Sequence, residues 1–178
     1  PEVLKYSLNK LKKQTSYYLS IEESAPGYRL NFKGEVKNCS EIKGKITDHG
    51  LEVHYKDSKL YLKPEDELEW QSAEQFHLSS LKSFITHPAD VLKAQQDNFT
   101  RFNIESKNHN IYKIRFYAGS PDKKFLQLFF PKISPVSVRS LIIEAVITNP
   151  ELQLKQLEIC LEFKNSAYGN LKRFYHLY

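Results

Sequence analysis

Several groups of side chains in this chain are of the right type and spacing to do chemistry. His49 and His54, with Asp48 beside the first, lie at the two ends of a turn and a strand. Neutral imidazoles and a carboxylate can ligate a transition ion, yet two isolated histidines near a hairpin are far more often surface residues. No CxxC pair and no Cys/His array accompanies them, so no metal site is expected. Glu22 with Glu23, and Glu65, Asp66 and Glu67, are candidate pairs for general acid–base work. Adjacent strand residues point to opposite faces, so Glu22 and Glu23 do not converge on one substrate, and the acidic turn is most simply solvated. Cys39 and Cys160 could bridge, closing a loop that in the chain-entropy model is worth roughly 4–5 kcal/mol. Cys39 sits at a turn and Cys160 on the polar face of its strand, between Glu158 and Glu162, and neither position fixes a pairing.

Other chemistries fail for want of parts. There is no GxSxG elbow and no Ser, His and Asp spaced as a triad. Six glycines are too few and too dispersed to cradle a phosphate or a dinucleotide. Lys113 and Arg115 alternate with Tyr112, Ile114 and Phe116, but on opposite faces, so the aromatics do not form a stacking platform and no nucleic acid is expected. The sequons Asn38-Cys39-Ser40 and Asn98-Phe99-Thr100 matter only in a glycosylating pathway. With no catalytic constellation and no cofactor motif, the expectation is a protein that is not an enzyme and carries no cofactor.

The elements are far more legible than any reaction. At 178 residues the chain reads as a single domain, 1–178, long enough to bury a core. The net charge of +5 comes from basic residues scattered among 21 acidic ones, which is the pattern of a mixed solvated surface. No apolar run approaches the roughly 18 residues that span a bilayer. The sequence begins at Pro1 and has no Met, which reads as a processed or trimmed product; a removed export signal and a cut at a domain boundary both remain open.

Helical spacing of Leu4, Leu8 and Leu11 predicts a short amphipathic helix at the start. Period-two alternation then predicts strands in YYLSIEES, YRLNFKGEVK, SEIKGKI, LEVHYK and KLYLK, a five-strand meander punctuated by Pro26-Gly27, Asp48-His49-Gly50 and Asp57-Ser58. Gly34 and Gly44 inside strands suggest bulges or sharp curvature. Residues 73–94 read as two short helices: Phe76, Leu78, Leu81, Phe84 and Ile85 form the apolar stripe of the first, and Pro88 opens the second. FTRFNIESK and NIYKIRFYA form a hairpin. Ser120-Pro121-Asp122 is a good helix start for the segment containing FLQLFF, although a strand reading is nearly as good. SVRSLIIEAVIT and LQLKQLEICLEFKN close the chain as two long strands, hinged at Asn149-Pro150. The fold class expected is α+β: a single strongly curved antiparallel sheet of roughly eight to ten strands, with short helices on its concave side.

The order helix, meander, inserted helices, hairpin and long closing strands resembles the LolA-like superfamily of bacterial lipoprotein carriers, including the LppX/LprG-like lipid-binding lipoproteins, and especially its Gram-positive branch. The segments carrying the resemblance are YYLSIEESAPGYRLNFKGEVKN, KITDHGLEVHYKDSKLYLKPEDELEW, LSSLKSFITHPADVLKAQ and SLIIEAVITNPELQLKQLEICLEF. The resemblance implies a half-open β-barrel with an apolar cavity between sheet and helices. It also implies an extracytoplasmic, cell-envelope location, and a membrane anchor through a lipidated cysteine upstream of Pro1. The cavity arginine of the carriers has no match at Arg29, Arg101 or Arg115, which lie in strands but off the apolar faces. The function expected is binding of an apolar ligand, an acyl chain or lipid, by the inward faces: Leu30, Phe32, Val53, Tyr55, Leu60, Leu62, Phe102, Ile104, Tyr112, Ile114 and Phe116. Tyr55 and Tyr112 could orient a polar head. The alternative is a structural or protein-interaction module whose core is fully packed.

Overall fold

A computed structural model describes residues 2–178 except Cys39, 96–98 and His109, with residues 106–108 described in backbone only. The chain opens with helix α1, Glu2–Lys13, whose acidic first turn and lysine-rich last turn suit the helix dipole and whose buried side is Leu4, Ser7 and Leu11. Strands β1 (Ser16–Ala25), β2 (Tyr28–Lys37), β3 (Glu41–Ile46), β4 (Leu51–Lys56) and β5 (Lys59–Pro64) follow as the expected meander. Pro26-Gly27 turns β1 into β2 with Gly27 at a φ of 74°. Asp57 and Ser58, at φ 50° and 62°, make a two-residue turn with both centres left-handed, the geometry that matches strand twist.

After the two-residue strand β6 (Gln71–Ser72) come helices α2 (Leu81–Phe84) and α3 (Pro88–Gln95), hairpin β7 (Arg101–Asn108) and β8 (Ile111–Ala118), and helix α4 (Lys123–Phe129). Strands β9 (Val138–Thr148), β10 (Leu154–Phe163) and β11 (Asn170–Leu177) complete the chain. The FLQLFF segment is thus helical, entered from Asp122 rather than Ser120. The apolar stripe assigned to the first inserted helix is only partly helical: Phe76 lies in a turn, Leu78 in irregular chain after it, and Ile85 follows the last helical residue.

All strands join one antiparallel sheet in the order β6-β5-β4-β3-β2-β1-β11-β10-β9-β8-β7, which does not close. Its eleven strands exceed the expected number because β6 and β11 were not anticipated. β11 is the more important of the two. It lies between β1 and β10, so the N-terminal meander and the C-terminal strands meet only across it.

One face of the sheet is mostly apolar; on β9, for example, Leu141, Ile143, Ala145 and Ile147 are fully buried at alternate positions. The other face carries ion pairs, among them Arg29 with Glu22 and Arg115 and Lys113 with Glu144. Gly34 and Gly44 face each other across β2 and β3 in unbroken register, so neither marks a bulge. Instead the two backbones approach so closely that an added Cβ at Gly34 would strike the Lys43 carbonyl and the Phe32 ring, and one at Gly44 the Lys33 carbonyl. Phe32 covers its glycine neighbour and is fully buried. Gly34→Ala is therefore expected to cost about 1–3 kcal/mol in urea unfolding. Gly119→Ala, where an added Cβ would meet no atom of the described residues within 4 Å beyond its chain neighbours, should stay within about 0.5 kcal/mol of the parent.

Candidate functional site

The apolar face is interrupted by one row of polar side chains, all on the central strands. Arg173 of β11 points inward and is 2% exposed. Glu23 of β1 is its directly opposite neighbour. The guanidinium donates through Nε to Glu23 Oε2 at 2.6 Å and through Nη2 to the same carboxylate. Its remaining donors reach the helices: Nη1 to the Ser83 carbonyl of α2 and Nη2 to the Phe129 carbonyl ending α4, each at 2.8 Å. Both carbonyls lie in the last turn of a helix, where no intrahelical partner exists. The ring of Phe130 lies against the guanidinium, 4.2 Å from centroid to carbon, and Phe84 lies beyond at 5.6 Å. Tyr28 donates to the other Glu23 oxygen at 3.1 Å, and partial burial followed by the Glu23 charge pushes its phenol up to about 12.

Two further contacts extend the row. Tyr175, also on β11, shares a hydroxyl–hydroxyl hydrogen bond of 2.7 Å with Thr86. Tyr17 of β1 bonds His87 Nε2, while His87 Nδ1 accepts from the Ala89 N–H at 3.2 Å, which assigns the ring proton to Nε2. Residues 83–87, the corner between α2 and α3, are thereby fastened to the sheet at three points. Burial pushes the His87 pKa down, Asp90 opposes this and Lys12 adds to it, so the ring is neutral at neutral pH.

Beside this row opens a cleft of about 970 Å³ between α2, α3, α4 and the ends of β3 and β4. Ile42, Tyr55, Ile85, Phe125 and Phe129 supply its apolar surface, and half-exposed Leu128 stands at its mouth. The rim carries Lys82, Lys93 and Lys124 with Asp57, Asp90 and Asp122. Lys82 bridges to the Ser58 carbonyl at 2.6 Å, closing one side. Ser83 and Phe129, whose carbonyls Arg173 holds, both line this cleft.

Of the residues expected to line a cavity, Tyr55 alone lines this cleft. Leu30, Phe32, Val53, Leu60, Leu62, Ile114 and Phe116 lie in the core, and Tyr112 packs against it partly buried. Phe102 and Ile104 on β7 are 56% and 45% exposed. Arg173, Tyr175 and His87 escaped the sequence reading, although Leu171, Arg173, Tyr175 and Leu177 alternate as a strand face with one arginine in it. Asp48 bonds Asn31 and His54 bonds Glu41, so these residues have side-chain partners of their own. Cys160 is a buried thiol, pushed up by burial; Cys39, its expected bridging partner, lies outside the described residues.

No family model matches the chain, and no curated protein matches it. Among solved structures, the chain is similar to a DUF1329 family protein from Desulfovibrio piger ATCC 29098. The match covers 99% of this chain and 88% of that one, at 9% identity and a TM-score of 0.36, too slight a likeness to carry an argument about fold or function.

Removing Arg173 leaves Glu23 buried without its counter-charge. Arg173→Ala should therefore cost about 3–5 kcal/mol in denaturant unfolding, and the Arg173→Met/Glu23→Met double variant distinctly less than the two single losses added. His87 gives a pH dependence of known sign. Its folded pKa is below the unfolded value, so the unfolded chain binds the extra proton, and stability declines as pH drops through the unfolded value near ~6.5 until the folded value is passed. Urea midpoints between pH 8 and pH 5 should show this decline, with a shallower slope in His87→Asn.

Proposed function

We propose that this protein is a non-enzymatic binding protein for an apolar ligand carrying an acyl chain, held in the cleft between the sheet and helices α2, α3 and α4. The observation that carries the reading is the cleft itself: about 970 Å³ with an apolar interior and a charged rim. That volume is at the upper end for small-molecule sites, which are concave, mostly apolar and edged by a few polar groups. Each methylene buried contributes about 0.8 kcal/mol, so a chain of some ten carbons retains useful affinity after ordering costs. On this reading the sheet is a half-open barrel with the helices on its concave side, as in the LolA-like proteins. Arg173, inward-facing between sheet and helices, supports the comparison as a counterpart to the carriers' cavity arginine. An extracytoplasmic, lipid-anchored setting in the cell envelope goes with that comparison.

A second reading is favoured by one observation. Most of the inward residues, Phe32, Val53, Leu62 and Ile114 among them, are fully buried in the protein's own core. A structural or interaction module with no ligand would look the same there.

Displacement of a fluorescent fatty acid separates the two. The binding protein is expected to hold the probe at micromolar concentration, and Leu128→Asp at the cleft mouth should weaken it about tenfold or more without loss of folding. Ile104→Asp on β7, away from the cleft, should leave binding unchanged. A folded protein that takes up no acyl probe, with lipid extraction of the purified material also negative, overturns the proposal.

A further inference from the structure

Strand β7 forms one border of the sheet, with β8 on one side and, among the described residues, no strand on the other. An edge strand presents unpaired N–H and C=O groups that pair with another strand when nothing blocks them. The opposite edge, β6, has two residues and offers almost nothing; β7 has eight. Phe102 lies opposite Phe116 and Ile104 opposite Ile114, so both belong to the face that is buried on β8. They are nonetheless 56% and 45% exposed, because the sheet stops there. Arg101 and Glu105, on the other face, are also exposed, and among the described residues neither enters a salt bridge.

These side chains are arranged symmetrically about Asn103, with an apolar residue one step away on either side and opposite charges two steps away. We propose that β7 pairs antiparallel with β7 of a second copy of this chain, about a two-fold axis through Asn103. If the apolar face is to continue from one sheet into the next, each residue must meet one of the same parity. In the register centred on Asn103, Phe102 meets Ile104 of the second copy, and Arg101 meets its Glu105; the two-fold axis makes each contact twice. Directly opposed side chains stand about 4.5–5.5 Å apart at Cβ, close enough for both the apolar and the charged pairs to form. A register shifted by two residues in either direction puts Asn103 opposite one of the charges in place of its counter-charge. The interaction surface is therefore the β7 edge, and the partner is a second copy of the same chain.

Sedimentation equilibrium of the whole chain tests this. The weight-average mass should climb from 20.9 kDa toward twice that value between micromolar and several hundred micromolar protein. Arg101→Glu places two carboxylates opposite each other at both sites, and Glu105→Arg places two cations. Each variant alone should self-associate at least about tenfold more weakly than the parent. Mixing the two variants matches every charge again, so the mixture should heterodimerise with the parent's affinity, as should the Arg101→Glu/Glu105→Arg double variant with itself. Recovery on mixing has no explanation in misfolding of either single variant. A chain that stays monomeric throughout, single variants that associate as the parent does, or a mixture no stronger than its components would each overturn the pairing.

Discussion

The guanidinium of Arg173 occupies a place where an ion is costly to hold, the inward face of β11, next to the middle strand of the sheet. Desolvating it and Glu23 costs several kcal/mol per ion, offset only if geometry and hydrogen bonding are good. Here they are: the carboxylate sits directly across the ladder, and two helix-end carbonyls take the remaining donors. An apolar pair of equal volume would fill the same space, but apolar contact has no direction. The guanidinium meets two specified carbonyls, and so dictates where α2 and α4 rest. With Tyr175 on Thr86 and Tyr17 on His87, the central strands hold the helical layer by named atoms as well as by burial.

The position of the cleft follows from that anchorage. Residues 83–87 are drawn down onto β1 and β11, and Arg173 holds the end of α4 beside them. Toward β3 and β4 the helical layer is not drawn down in the same way, and the cleft opens there, with Ile42 and Tyr55 on the sheet side. At the other border β8 keeps Ile114 and Phe116 buried, Phe99 stacks on Phe116 at 4.5 Å, and cover then runs out over Phe102 and Ile104. Helices of four, eight and seven residues are too short to span a sheet this wide, so some inward residues are core, some line a cleft and some face water.

This explains which parts of the molecule were legible in the sequence. Strands β1 to β5 and β7 to β10 announce themselves by alternation, and α1, α3 and α4 by spacing and by Pro88 and Pro121-Asp122. β6 is too short to have a period. β11 was missed because the middle of its inward face is an arginine, and Phe174 stands on its outward face, which blurs the apolar alternation of Leu171, Tyr175 and Leu177. The same arginine is the reason the strand matters. Which inward residues line a cleft was not legible, because alternation tells only which face a side chain takes. Val53 and Tyr55 share a face on one strand, yet one is sealed and the other borders the cleft, a difference decided by helices distant in sequence.

The place of β11 in the sheet also orders events in time. β1 is synthesised well before β11 and finds β2 at once across a two-residue turn. Its other neighbour is β11, and the Glu23–Arg173 contact joins residues 150 positions apart. At ordinary elongation rates the wait is on the order of ten seconds, during which β1 presents an open edge and Glu23 has no cation opposite it. Closing so long a loop is slow. The N-terminal meander can form locally and Tyr17 of β1 can meet His87, but Arg173 and Tyr175 reach the Ser83 and Phe129 carbonyls and Thr86 only when β11 arrives, so the helical layer is fully fastened only after that strand is made.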